Sequence, residues 1–201
     1  TYTFDNRPYV AKVKVGEDLY KYITIADALT AVPDGGTITL INNATEEFAI
    51  EDGKTVTLDM AGFTLTGAIT PSNANLKIEN GTINNENASY SAIEINEGSL
   101  VLNDVKVTSK RHGVRIDGYV TATINGGEYR LSATSGTRHA VNVSGAAEVT
   151  ITAGTFVGPA GTSMDSGSAV CVQAGAKVTI EGGDFSGGKN ATLGVSGTMT
   201  V

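Results

Sequence analysis

Both histidines of this 201-residue chain directly follow an arginine, as Arg111-His112 and Arg138-His139. Each pair immediately precedes a short apolar-alternating segment, HGVRI (112–116) and HAVNV (139–143). If these segments stack as neighbouring strands, the two histidines and the two arginines come about 5 Å apart. Arg115, Asn142, Glu94 and Cys171 then project outward from one strand column, with Asp117 nearby. The chain has 14 basic and 21 acidic residues, net −7, so this is a local basic spot on an acidic protein. Guanidinium groups bind carboxylates through charge-assisted hydrogen bonds, which suits a uronate, a sialate or another anionic sugar. The candidate ligand-binding residues are therefore Arg111, His112, Arg115, Asp117, Arg138, His139 and Asn142. A plainer role for the same residues is to cap loop carbonyls and to screen Glu94, Asp104, Asp117 and Glu128.

Other chemistries are poorly served. Two histidines without a third ligand do not make a zinc site. Glu128, Glu181 and Asp184 look scattered along an edge, whereas calcium needs six or more oxygens converging on one point. These acids, with Asn80, Asn103 and Asn125, read as solvated corners. No metal, cofactor or catalytic residue is expected. A single cysteine, Cys171, excludes an intrachain disulfide and reads as an inert strand residue. Net charge −7 argues against a nucleic-acid footprint. No apolar run approaches membrane-spanning length, so no membrane insertion is expected. Aromatic residues make up 6% and Trp is absent, which disfavours a large aromatic-lined pocket.

The elements that must position the basic spot come from a recurring eight-residue phrase. Its copies are LKIENGTI (76–83), LVLNDVKV (100–107), ATINGGEY (122–129), VTITAGTF (149–156) and VTIEGGDF (178–185), with a looser one in VTLDMAGF (56–63). Each has two aliphatics two apart, a polar or Gly-containing corner, and a bulky apolar residue five positions after the second aliphatic. Before each full phrase after the first lies a shorter strand: SAIEI (91–95), HGVRI, HAVNV and SAVCV (168–172), with ATLGV (191–195) a further one. Period-two alternation sends one face of each strand inward. Successive copies, counted from Leu58 through Ile78, Leu102, Ile124, Ile151 and Ile180 to Val201, lie 20, 24, 22, 27, 29 and 21 residues apart. The excess falls between the bulky residue and the next short strand, as in 130–139 and 157–168. Longer loops along one edge are the usual place for a solenoid's binding surface.

Three short strands per rung with variable loops at one corner describe a parallel β-helix. Residues 36–201 resemble the right-handed parallel β-helix, or pectin-lyase-like, superfamily. The fold class expected is thus all-β, with residues 1–35 forming an N-terminal edge strand and capping helix. In that leading stretch Ile25, Ala28, Leu29 and Val32 fall at helical spacing, Thr24 is a candidate N-cap, and Pro33-Asp34-Gly35-Gly36 ends the helix. The run from Val10 to Ile41, with the following 53–67, is similar to the lead-in of β-helix proteins on Gram-positive bacterial surfaces. That resemblance implies an extracellular or cell-surface location.

Pectin hydrolases of the superfamily carry Asn-Thr-Asp, Asp-Asp, Gly-His-Gly and Arg-Ile-Lys motifs. This chain has Arg111-His112-Gly113 and Arg115-Ile116-Asp117 instead, lacks adjacent aspartates, and without Trp lacks the Trp-containing pectate-lyase motif. The function expected is a non-catalytic module of a bacterial surface protein, an adhesin or stalk, with an acidic polysaccharide or host glycan as partner. The alternatives are a polysaccharide lyase or glycoside hydrolase acting on an acidic glycan, and a tailspike-like receptor binder. Because Gly197–Val201 begins another phrase, further rungs or a partner subunit are expected at that end.

Overall fold

Stacking the phrase on itself removes its aliphatics from water. The computed structural model describes residues 6–133, 137–159, 167–188 and 192–201. Over these residues the protein is all-β apart from one short helix and forms a parallel β-solenoid of about 7 turns. In chain order it begins with β1 (Ala11–Val15), β2 (Asp18–Tyr22), α1 (Ile25–Ala31), β3 (Gly36–Leu40), β4 (Ala44–Phe48) and β5 (Thr55–Asp59). The body is β6 (Thr64–Asn85), β7 (Ile93–Ser109), β8 (Val114–Leu131), β9 (Val141–Val143) and β10 (Glu148–Val157). It closes with β11 (Val170–Val172), β12 (Lys177–Ile180), β13 (Asp184–Ser186), β14 (Leu193–Val195) and β15 (Thr198–Thr200).

The strand register reproduces the sequence repeat. Leu58, Ile78, Leu102, Ile124, Ile151 and Ile180 pair in one column through parallel ladders. The residue five positions later builds a second column, Ile83–Val107–Tyr129–Phe156–Phe185. Its aromatic part stacks face to face, with ring centroids 4.9 Å apart for Tyr129–Phe156 and 5.0 Å for Phe156–Phe185. A third column comes from the short strands: Ile93, Val114, Val141, Val170 and Leu193. Each fully buried aliphatic of this kind contributes about 1.5–3 kcal/mol of transfer free energy.

The expected three short strands per rung are, in the middle of the stack, longer continuous strands. Ladder pairing runs through the corner, so β7 spans 17 residues. The bend is absorbed by residues in the left-handed region: Asn80 at φ 60°, Asp104 at φ 51°, and Gly126 and Gly127 at φ 81° and 90°. Asn and Asp tolerate that region because their side chains bond locally, which is why the corner need not always be glycine.

At the N-terminal end, β1 and β2 form an antiparallel hairpin, and β1 also pairs antiparallel with β3. The Thr24 side chain accepts the Asp27 amide at 3.0 Å and so caps α1. Ile25, Ala28 and Leu29 are buried, as the spacing predicts, and the helix packs against β1 to β4. The Glu46 carboxylate of β4 accepts the Ile25 and Ala26 amides at 2.7 and 3.0 Å. Val32 leaves helical geometry with ψ 129°, as expected before Pro33. Among the described residues no helix is long and apolar enough to cross a membrane.

Candidate functional site

Parallel pairing brings the two Arg-His pairs together. Ile93 pairs with Val114, and Val114 with Val141. Stepping back two residues from each aligns Ser91, His112 and His139, and Ser168 follows from the Val141–Val170 pairing. Stepping back three aligns Tyr90, Arg111 and Arg138. Amide-to-carbonyl bonds confirm the stacking of this corner, from Ala92 to His112, Gly113 to His139 and Ala140 to Ser168.

The imidazoles stack with centroids 5.4 Å apart and planes 11° from parallel. Each ring accepts a backbone amide from the following rung through Nδ1. His139 N–H donates to His112 Nδ1 at 3.2 Å, and Ser168 N–H donates to His139 Nδ1 at 2.9 Å. An accepting Nδ1 carries no proton, so each neutral ring holds its proton on Nε2. Burial, the charge of His139 and then Arg111, Arg115 and Arg138 push the pKa of His112 down to about 3. Burial alone takes His139 to about 4. Both rings are therefore neutral donors at physiological pH.

The arginines repeat one geometry. The Arg111 guanidinium donates to the Ser89 carbonyl, and that of Arg138 donates to the Lys110 carbonyl. Each thus reaches back one rung, to the residue just before its stacked partner. That spends one of five N–H donors per guanidinium. A cavity of about 250 Å³ opens here, lined by Ala88, Arg111, His112, Thr137 and Arg138.

Behind the cavity the second column is in register: Glu94, Arg115, Asn142, Cys171 and Gly194. Its side chains project outward as expected, and Arg115 and Cys171 are partly open to water, but Glu94 and Asn142 are covered. Glu94 is 9% and Asn142 3% exposed, because stacked polar neighbours engage and cover each other. Arg115 bridges the Glu94 carboxylate at 3.1 Å and the Asp117 carboxylate at 2.9 Å. Asn142 accepts from Gln173 Nε2 at 3.0 Å. Burial pushes the Cys171 thiol up, away from the reactive thiolate.

The seven candidate residues therefore divide into two groups. Arg111, His112 and Arg138 line the cavity, with His139 stacked behind His112. Arg115 and Asn142 belong to the outward polar column, with Asp117 bonded to Arg115 beside it. The plainer capping role holds for the arginine–carbonyl bonds and for Arg115. It does not hold for Glu128, which pairs with Arg130.

Three features were missed in the residue pattern. Tyr90 stands in the arginine column and is 40% exposed. Its signal was positional, since it precedes Ile93 as Arg111 precedes Val114. The loop carrying it is held by buried Asn85, whose Nδ2 donates to the Tyr90 carbonyl at 2.6 Å and whose Oδ1 accepts the Asn87 amide at 2.9 Å. At the phrase corner, Asn103 and Asn125 are half-buried rather than freely solvated. Asn125 Nδ2 donates to Asn103 Oδ1 at 2.9 Å, and Thr152 donates to Asn125 Oδ1 at 2.9 Å.

Among the described residues no group of three or more His, Cys, Asp or Glu could hold a metal ion. Parts of both long corner segments, 134–136 and 160–166, lie outside the described residues. A scan against protein-family models, a search of curated proteins and a search of solved structures each found no match.

Proposed function

We propose that this chain is a non-catalytic, extracellular β-solenoid module that holds an acidic glycan along the Tyr90–Arg111–Arg138 column. The observation that carries this reading is the register, which sets Tyr90, Arg111 and Arg138 on successive rungs, with both arginines lining a cavity of about 250 Å³. Rungs are about 4.8 Å apart, so the column extends over about 10 Å, the scale of a short saccharide. A sugar ring lies against Tyr90, its carboxylate meets the free N–H donors of Arg111 and Arg138, and the His112 Nε2–H adds a neutral donor.

Binding is favoured over hydrolysis by what the nearby acids already do. Hydrolysis of a glycosidic bond uses one carboxyl as a proton donor and another as base or nucleophile. Here Glu94 and Asp117 are both committed to Arg115. The histidines are neutral with Nδ1 engaged, which removes them as general bases. The similarity of 10–41 to the lead-in of Gram-positive surface β-helices supports membership of the pectin-lyase-like superfamily and display on a bacterial surface, as an adhesin or stalk. Affinity electrophoresis through gels containing acidic or neutral polysaccharides tests the reading. Retardation by an acidic polymer that is weakened in Arg111→Ala/Arg138→Ala supports it, and depolymerisation of any polymer refutes it.

A further inference from the structure

A second surface, away from the arginine column, combines charge and exposed aromatic rings. Tyr9, Val15, Leu19 and Tyr20 are large apolar side chains left open to water, with Tyr9 50% exposed. Residues 7–21 carry Arg7, Lys12, Lys14 and Lys21 against Glu17 and Asp18, a local net charge of 4 − 2 = +2 within a chain of −7. The hairpin register sets Lys12 directly opposite Lys21. Lys14 meets Glu17 at 3.5 Å, whereas among the described residues Lys12 and Lys21 make no ion pair. Like charges facing each other across a strand pair destabilise it. Edge lysines also discourage strand-to-strand aggregation, but that role requires neither a groove nor aromatic rings beside the charge.

Such a groove is present. A cavity of about 510 Å³ is lined by Tyr9, Lys21, Tyr22, Asp27 and Thr30, among others. That volume falls within the usual range for small-ligand sites. Its walls are pinned by the backbone: Asn42 Nδ2 donates to the Tyr9 carbonyl at 3.1 Å, and Val10 N–H donates to the Tyr22 carbonyl at 2.8 Å. The half-exposed Tyr9 ring offers an apolar platform. Asp27 and Thr30 offer partners for hydroxyls, and Lys21 with Lys12 across the hairpin offers positive charge.

We infer that this groove is a second saccharide site, specific for a sugar ring bearing a carboxylate. The ring lies on Tyr9, its carboxylate meets Lys21 and Lys12, and its hydroxyls meet Asp27 and Thr30. The inference does not rest on the arginine column, with which it shares no residue. Titrating the ¹⁵N-labelled chain with hexagalacturonate, and separately with the neutral hexamer of glucose, tests it by amide shifts. The expected result is shifts at Tyr9, Lys21 and Thr30 with the acidic hexamer. Affinity at those amides should weaken at least fivefold in Lys12→Ala/Lys21→Ala and in Tyr9→Ala, with the remaining spectrum intact. Groove amides that do not move, that move equally with the neutral hexamer, or that keep their affinity in Lys12→Ala/Lys21→Ala overturn it. If the groove titrates while amides 88–91, 111–112 and 137–138 stay still, the groove stands and the arginine-column reading falls.

Discussion

Mild acid should destabilise this solenoid through its histidine stack. In an unfolded chain each imidazole titrates near 6.5, whereas in the fold His112 is held to about 3 and His139 to about 4. Between those limits the unfolded state binds more protons, so stability is intact above 6.5 and falls as the pH drops towards 4. The slope is about 1.4 kcal/mol per pH unit for each ring. At pH 5 each histidine therefore costs about 2 kcal/mol and the pair about 4, a large share of the 5–15 kcal/mol typical of a folded protein. His139→Asn and His112→Asn separate titration from capping, because the Asn Oδ1 can accept the same amide that Nδ1 accepts. Urea unfolding followed by far-UV circular dichroism at pH 8 and pH 5 measures the effect. Each Asn variant should stay within about 1–2 kcal/mol of the parent at pH 8. Each should also lose about 2 kcal/mol of the parent's drop on acidification. If the double Asn variant keeps the full drop, the rings titrate as exposed histidines and the argument from burial is wrong.

Three further changes probe the core at pH 8 by the same unfolding assay. The Tyr129 hydroxyl is buried without a partner among the described residues, and burial and Asp104 push its pKa far up; Tyr129→Phe should be neutral or stabilise by about 1 kcal/mol, and a loss above that would mean the hydroxyl is bonded. Phe156 is fully buried between two stacked rings while Phe185 is half-buried; Phe156→Ala should cost about 3–5 kcal/mol and clearly more than Phe185→Ala. Gly127 has φ 90° and a Cβ there would lie 2.2 Å from the Val105 carbonyl oxygen; Gly127→Ala should cost more than about 1 kcal/mol, and a neutral result would contradict the corner geometry.

What could be read from the residues was whatever repeats with constant spacing. Ile78, Leu102, Ile124, Ile151 and Ile180 recur with a bulky residue five later, and every such pair lies in the expected column. Repetition also foretold the stacking of His112 on His139, since each stands two residues before a paired valine. Burial of the outward column was not legible. Glu94 and Asn142 have the parity of solvent-facing residues and are sequestered only because Arg115, Gln173 and stacked neighbours close over them. Tyr90 was not legible either, because it shares no residue type with Arg111 and Arg138, although it shares their position. The histidines' role as amide acceptors depends on ring orientation, which spacing does not encode.

The central claim is capture of an acidic glycan by the arginine column without cleavage. Isothermal titration with hexagalacturonate in a Lys12→Ala/Lys21→Ala background, which removes the cations of the hairpin groove, followed by sizing of the recovered oligosaccharide, tests it most directly. The account predicts binding weakened at least tenfold in Arg111→Ala/Arg138→Ala, partly restored by Arg111→Lys/Arg138→Lys, with the hexamer recovered whole. Affinity unchanged by removal of both guanidinium groups, or a shortened oligosaccharide whose production stops in Arg115→Ala, would contradict it.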